Sequence, residues 1–155
     1  RNVIEILCMF DWSEVVNNLA HMLVAYVLAL PLGWDREKKS RSAGLRTFPL
    51  VSVAACGFML TGISVFTKGD PQSRVAYGLI TGIGFIGGGA ILKNGSSVKG
   101  TATAASLWNT GAIGMAVAWG LYEIAAMLSL LNFVTLRLIK PLKENIENNH
   151  EKDED

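Results

Sequence analysis

Asp35, Arg36 and Glu37 stand together where one apolar run ends, in Gly33-Trp-Asp-Arg-Glu-Lys-Lys39, and Arg46 opens the next run. Carboxylates placed so could form a cation or proton site at a cytosolic mouth, because magnesium takes hard oxygen ligands, usually one or two carboxylates plus retained waters. Asp35 and Glu37 are therefore the candidate metal ligands and Mg2+ the candidate ion; no other cofactor is expected. The same residues also suit a helix end with solvated charges and an Asp-Arg pair worth at most about 1 kcal/mol when exposed. Composition leaves both readings open. Arg46 is followed by Thr47 and Pro49, and proline fits the first turn of a helix, which puts Arg46 at the membrane surface, within reach of a lipid phosphate or a carboxylate. Arg74 holds the corresponding place at the outer end of the third run. Asn109 is an amide deep inside a run and suits bonding helix to helix better than binding a ligand. Asn17, Asn18 and His21 could face an aqueous vestibule. No Ser-His-Asp set, no Cys/His ligand spacing and no paired intramembrane acids occur in the sequence, so no enzymatic activity is expected.

The elements that carry these residues are apolar and long. Half of the 155 residues are hydrophobic and only 17% are charged, against about 25% charge in a typical soluble domain; the mean hydropathy is +0.34. Five segments approach the roughly 20 apolar residues that cross a hydrocarbon core. They lie at about 15–32, 47–66, 74–92, 101–119 and 121–139, within a transmembrane helical domain spanning 1–143. The fourth is semi-polar through Thr101, Thr103, Ser106, Asn109 and Thr110, which requires its polar face to turn towards other helices. An all-α integral membrane fold of about five transmembrane helices follows. The first connection holds Arg36, Lys38, Lys39, Arg41 and Arg46, the third holds Lys93 and Lys99, and the exit holds Arg137, Lys140 and Lys143. Short cytoplasmic loops collect Lys and Arg, so the N-terminus is expected outside and the C-terminus in the cytosol, the parity that five crossings demand. Trp12, Trp34, Trp108 and Trp119 fall near the expected interfaces, where indoles anchor helices. Cys8 and Cys56 sit at different depths and read as two unrelated thiols. Residues 144–155 read as an acidic, disordered tail.

The stretch Gly82-Ile-Gly-Phe-Ile-Gly87 satisfies G-x-G-x-x-G, yet it lies inside an apolar span, with no strand before it and no acid about 20 residues on. Packing accounts for the glycines better. Gly78 and Gly82 are four apart, as are Gly84 and Gly88, and small-xxx-small pairs let helix backbones approach closely. Thr103, Ser106, Thr110 and Gly114 of the next span lie near one face and offer a matching surface. The third and fourth helices are thus expected to form a tight seam, with glycine faces also supporting self-association, a dimer being favoured. Three glycines in a row, Gly87, Gly88 and Gly89, cost up to about 1 kcal/mol each in helix propensity; such a run could be a break or hinge whose free backbone groups line a site.

In order, Gly33-Trp-Asp-Arg-Glu37, Ala43-Gly-Leu-Arg-Thr47, Arg74-Val-Ala76, Thr81-Gly-Ile-Gly-Phe-Ile-Gly-Gly-Gly-Ala-Ile91, Val98-Lys-Gly-Thr-Ala-Thr-Ala-Ala-Ser-Leu-Trp108 and Ala112-Ile-Gly114 with Gly120 resemble the MgtC/SapB family of bacterial membrane proteins. The likeness runs from about Leu28 to Ala126. It implies a multi-pass protein of the bacterial cytoplasmic (inner) membrane, linked to magnesium limitation and, in pathogens, to virulence through survival inside macrophages. It further implies a regulator that contacts other integral-membrane proteins, ATP synthase and phosphate-sensing kinases among them, or alternatively a magnesium or proton-coupled ion transporter. Family members of the first kind carry a small cytosolic domain after the last helix, where this sequence has its acidic tail. Asp35 stands where many members have Glu, keeping the charge. The bilayer and another membrane protein are the expected partners, and no nucleic acid is.

Overall fold

The computed structural model describes residues 11–38, 43–95 and 97–153, with side chains up to 138. Cys8, Lys39, Arg41 and the side chains of the 144–155 tail lie outside the described residues. Among the described residues, five helices, α1 (Trp12–Glu37), α2 (Thr47–Val65), α3 (Asp70–Gly89), α4 (Thr101–Ala118) and α5 (Tyr122–Asp153), run up and down, with a small hairpin of β1 (Leu92–Asn94) and β2 (Ser97–Lys99) between α3 and α4. Asp11 caps α1 by accepting from the Ser13 amide at 2.9 Å, and hydrogen bonding from the Ser13 hydroxyl, with this amide bond second, holds the Asp11 carboxyl below its ordinary range. Among the described residues, α1 and α2 are the two helices long and apolar enough to cross a membrane by themselves.

The place of α4 shows why it needs less hydropathy. It is the central helix, packed by α1, α2, α3 and α5, and buried along Thr103, Ser106, Leu107, Thr110, Gly111 and every residue from Ile113 to Ala118. A helix encased by protein meets neighbours instead of solvent, so hydroxyls and glycines serve it as well as leucines do. The core around it, Leu32, Phe48, Cys56, Met59, Leu107, Ile113 and Val117, is fully buried or nearly so, while large side chains such as Leu23, Leu50, Phe58 and Leu131 face outward. An apolar exterior over a small-residue interior is the inverse of a soluble bundle.

The third helix departs from its expected bounds. It begins four residues early, at Asp70, because Pro71 fits the first turn. It ends at Gly89 instead of Leu92, with Ala90 N bonded to Gly87 O and Ile91 N to Gly88 O in a tightened last turn. Gly87, Gly88 and Gly89 are therefore the end of the helix, followed by the hairpin, and no break within it. The hairpin registers Leu92 with Lys99 and Asn94 with Ser97, turning at Gly95, whose φ of +60° suits glycine.

The tight seam is also placed differently. A Cβ added at Gly78, Gly82, Gly84, Gly88 or Gly89 would meet nothing within 4 Å; these glycines face outward. α3 meets α4 through Gly87, where a Cβ would lie 3.2 Å from the Ala104 carbonyl oxygen, and through Ile83 against Gly111. Thr103, Ser106, Thr110 and Gly114 do share one face of α4, but that face lies about a quarter turn from Ala104 and Gly111. It addresses α5 and α2: Ser106 bonds Asn132, and Gly114 abuts Ser52 and Ala55.

Polar side chains stitch α5 to its neighbours. Ser106 Oγ donates to Asn132 Oδ1 at 3.0 Å, Asn132 Nδ2 returns to Ser106 O at 3.4 Å, and Asn109 Nδ2 donates to Leu128 O at 3.1 Å. Each such bond between apolar helices contributes roughly 1 kcal/mol. Asn132→Leu, which removes both bonds to Ser106, is expected to cost about 1 to 2 kcal/mol in reversible unfolding in mixed micelles; an unchanged midpoint would show that the α4–α5 contact does not rest on this pair.

Candidate functional site

At one pole of the bundle the last turn of α1 packs on the segment that leads into α2. Gly33 makes this approach possible: a Cβ there would stand 3.1 Å from both Gly44 O and Leu45 Cα. Gly44 in turn lies under Glu37, whose carboxylate would collide with any side chain at 44. Glu37 Oε2 accepts from the Leu45 amide at 2.9 Å, and Gly44 O accepts from the amides of Thr47 and Phe48 at 3.0 and 3.1 Å. The Gly33-Trp-Asp-Arg-Glu37 and Ala43-Gly-Leu-Arg-Thr47 segments thus meet backbone to backbone, and α2 starts from a fixed point.

Asp35 lies inside this junction, only 3% exposed. Arg36 Nη2 donates to Asp35 Oδ2 at 2.9 Å, and Arg137 of α5 brings its Nε to 3.7 Å from Oδ1. Arg36 is buried as well, and its Nε has no hydrogen-bond partner among the described residues. Asp35 and Glu37 do not converge. Two positions along a helix turn the side chains about 200° apart, so Asp35 looks to Arg137 while Glu37 looks to Leu45. Magnesium requires near-octahedral oxygen ligands at about 2.0–2.1 Å with several waters kept, and among the described residues no group of three or more His, Cys, Asp or Glu gathers. One carboxylate in an arginine clamp and another holding a backbone amide do not fit a resident magnesium site.

The remaining candidates are dispersed. Arg46, exposed, precedes α2 beside this junction. Arg74 is exposed in the first turns of α3, at the opposite pole. Asn109 is committed to Leu128 O, and Thr110 Oγ1 to Ser106 O at 2.7 Å.

Sequence reasoning misses a second feature, a polar ladder between the parallel helices α1 and α5. Its rungs are His21 Nε2 with the Tyr122 hydroxyl at 2.9 Å, Ser129 Oγ donating to Leu28 O at 2.6 Å, and Asp35 with Arg137. Positions 21, 28 and 35 are two helical turns apart, matched by 122, 129 and 137. His21 Nδ1 lies 2.8 Å from Asn17 O; a carbonyl only accepts, so the neutral ring carries its proton on Nδ1 and Nε2 accepts from Tyr122. The seven-residue spacing of Tyr122 and Ser129 is the signal available in sequence. Asp35 is the inner rung of this ladder as well as the centre of the pole.

The sequence is similar to known proteins over most of its length. The model of the MgtC family matches residues 22–145. An uncharacterized protein of Synechocystis sp. is 39% identical over 142 residues, 91% of this chain and 58% of its own. Protein MgtC of Brucella abortus is 36% identical over 137 residues, 88% of this chain and 57% of its own, and YhiD of Escherichia coli K12 is 31% identical over 137 residues, 84% and 64% respectively. The chain thus spans less than two thirds of the length of these curated relatives. No solved structure matches. Sharing the family's pattern from α1 to the last helix, the chain belongs to the MgtC family.

Proposed function

We propose that this chain is a multi-pass protein of a bacterial cytoplasmic membrane, linked to magnesium homeostasis, that acts without enzymatic chemistry by contacting other membrane proteins. Charge supports the membrane placement. Arg36, Arg46, Lys93, Lys99 and Arg137 gather at the pole of Asp35, where α1, α3 and the membrane part of α5 end and α2 and α4 begin. Five crossings with the N-terminus outside put that pole in the cytosol. The magnesium link is supported by family membership and by the Escherichia coli relative, named as a candidate magnesium transporter.

The observation that carries the regulator reading is how the polar groups are used. Ser106, Asn109, Ser129 and Asn132 bond one helix to another, and Asp35 is clamped by arginine. A magnesium path is instead built from carboxylates and carbonyls turned towards a watery cavity. The side of α3 carrying Gly84 and Gly88, beside an outward Tyr77, offers close approach to a second copy or to another membrane protein. Purified protein in sealed liposomes is expected to take up no more magnesium than protein-free liposomes at either sign of membrane potential. A defined integral-membrane protein is expected to co-purify with the wild type and to be lost from Gly84→Leu. Saturable magnesium uptake would overturn this reading in favour of the transporter.

A further inference from the structure

An open apolar groove of about 850 Å3 runs between α2 and α3. Leu50 and Phe58 form one wall, Leu79 and Ile86 the other, and Gly78 and Gly82 leave α3 without side chains along it. Arg46 and Thr47, at one end, are the two polar residues of the lining. Arg46 makes no ion pair among the described residues, although Asp35 and Glu37 belong to the same pole.

The groove's dimensions identify its occupant. From Arg46 to Phe58 is twelve helical steps, about 18 Å, and from Ile86 back to Val75 is eleven, about 17 Å. Both are close to half of the roughly 30 Å hydrocarbon core. A guanidinium at headgroup depth above an apolar slot one leaflet deep matches a phospholipid: phosphate at the top, an acyl chain below. The N-terminus of α2, which has no side-chain cap, adds the partial positive charge of its dipole at the same level. A helix of a second copy fits less well, since it would need an acid at that depth. Among the described residues, the two acids of this pole are occupied, Asp35 by Arg36 and Glu37 by Leu45 N.

Resting on the membrane placement proposed above, we propose that the α2–α3 groove is a binding site for an anionic phospholipid of the cytoplasmic leaflet, its phosphate held by Arg46 and the start of α2. The site is separate from the Gly84–Gly88 side of α3, because Gly82 and Gly84 are about 200° apart around the helix.

The test reconstitutes the whole chain in nanodiscs of equal phosphatidylglycerol and phosphatidylcholine, then counts the lipids retained by native mass spectrometry. The wild type is expected to retain phosphatidylglycerol about fivefold over phosphatidylcholine, the preference one surface arginine supplies. Arg46→Gln, at an exposed position, should abolish the preference and leave the thermal transition unchanged. Gly82→Leu should lower retention of both lipids by filling the groove. Equal retention by the wild type, or an undiminished preference in Arg46→Gln, would overturn the site; so would efficient disulfide cross-linking of Gly82→Cys between copies. Extraction of membranes at alkaline pH separates the two levels: a chain released from the bilayer refutes the membrane placement, whereas a retained chain without lipid preference refutes the site alone.

Discussion

Gly114→Ala is expected to lower the stability of the fold by about 2–3 kcal/mol, and Gly114→Leu to yield no folded protein, while Gly84→Leu folds as the wild type does. The magnitude follows from overpacking, which costs about 1–3 kcal/mol where a core can shift and more where it cannot. At Gly114 it cannot. A Cβ there would overlap the Ser52 carbonyl oxygen and stand 2.9 Å from the Ser52 carbonyl carbon and 3.0 Å from Ala55 Cβ. All three atoms are backbone of α2 or bonded directly to it, so no side-chain rotation makes room and α2 must move bodily away from α4. Those two helices form the most extensive contact in the bundle. Gly111 makes a useful comparison, because its neighbour is the flexible Ile83 side chain, which can turn aside. Thermal unfolding in mild detergent orders the variants; a Gly114→Ala midpoint equal to that of Gly84→Leu would mean that α2 and α4 do not approach as described.

The contrast between Gly114 and Gly84 also marks what a sequence can convey. The five helices were legible because apolar runs of about 20 residues, separated by charged connections, are the length that crosses a hydrocarbon core; the second helix begins at Thr47 as expected. The ends were less so. The last turn of α1, Trp34 to Glu37, reads as a polar connection by hydropathy, yet it is helical, with Asp35 and Arg36 buried. The hairpin was signalled by Asn94-Gly95 and lost among the lysines around it. Spacing showed that Gly78 and Gly82, like Gly84 and Gly88, share a helix face, but spacing carries no phase: which face meets a neighbour depends on how α3 is rotated against α4. Ile83 and Gly87 won that face, with Ala76 below them.

The candidate site was half legible. Asp35, Arg36 and Glu37 stood out as charges at the edge of a span, and the Asp35-Arg36 pair was one of the two readings they allowed. Arg137, about a hundred residues away, entered only as a positive charge at the exit of the last span. Nothing in one sequence couples position 137 to position 35; the connection exists because α1 and α5 run parallel with rungs at matched heights.

That clamp makes Asp35→Ala the second change with a large expected effect, a loss of about 3–5 kcal/mol. Most of the cost comes from what is left behind. Arg36 is 8% exposed and has one nitrogen without a partner among the described residues, so removing the carboxylate leaves a buried guanidinium without the acid that offsets its desolvation. Asp35→Asn/Arg36→Gln should therefore recover most of the loss, since it removes both charges. Arg137→Gln should cost less than about 1 kcal/mol, because that side chain is 55% exposed and 3.7 Å from the carboxylate. Chemical denaturation of the four proteins in micelles gives the ranking. If Asp35→Ala costs no more than Arg137→Gln, the carboxylate is not closed off by its neighbours, and this pole of the bundle regains what the clamp denies it: an acid free to meet a cation.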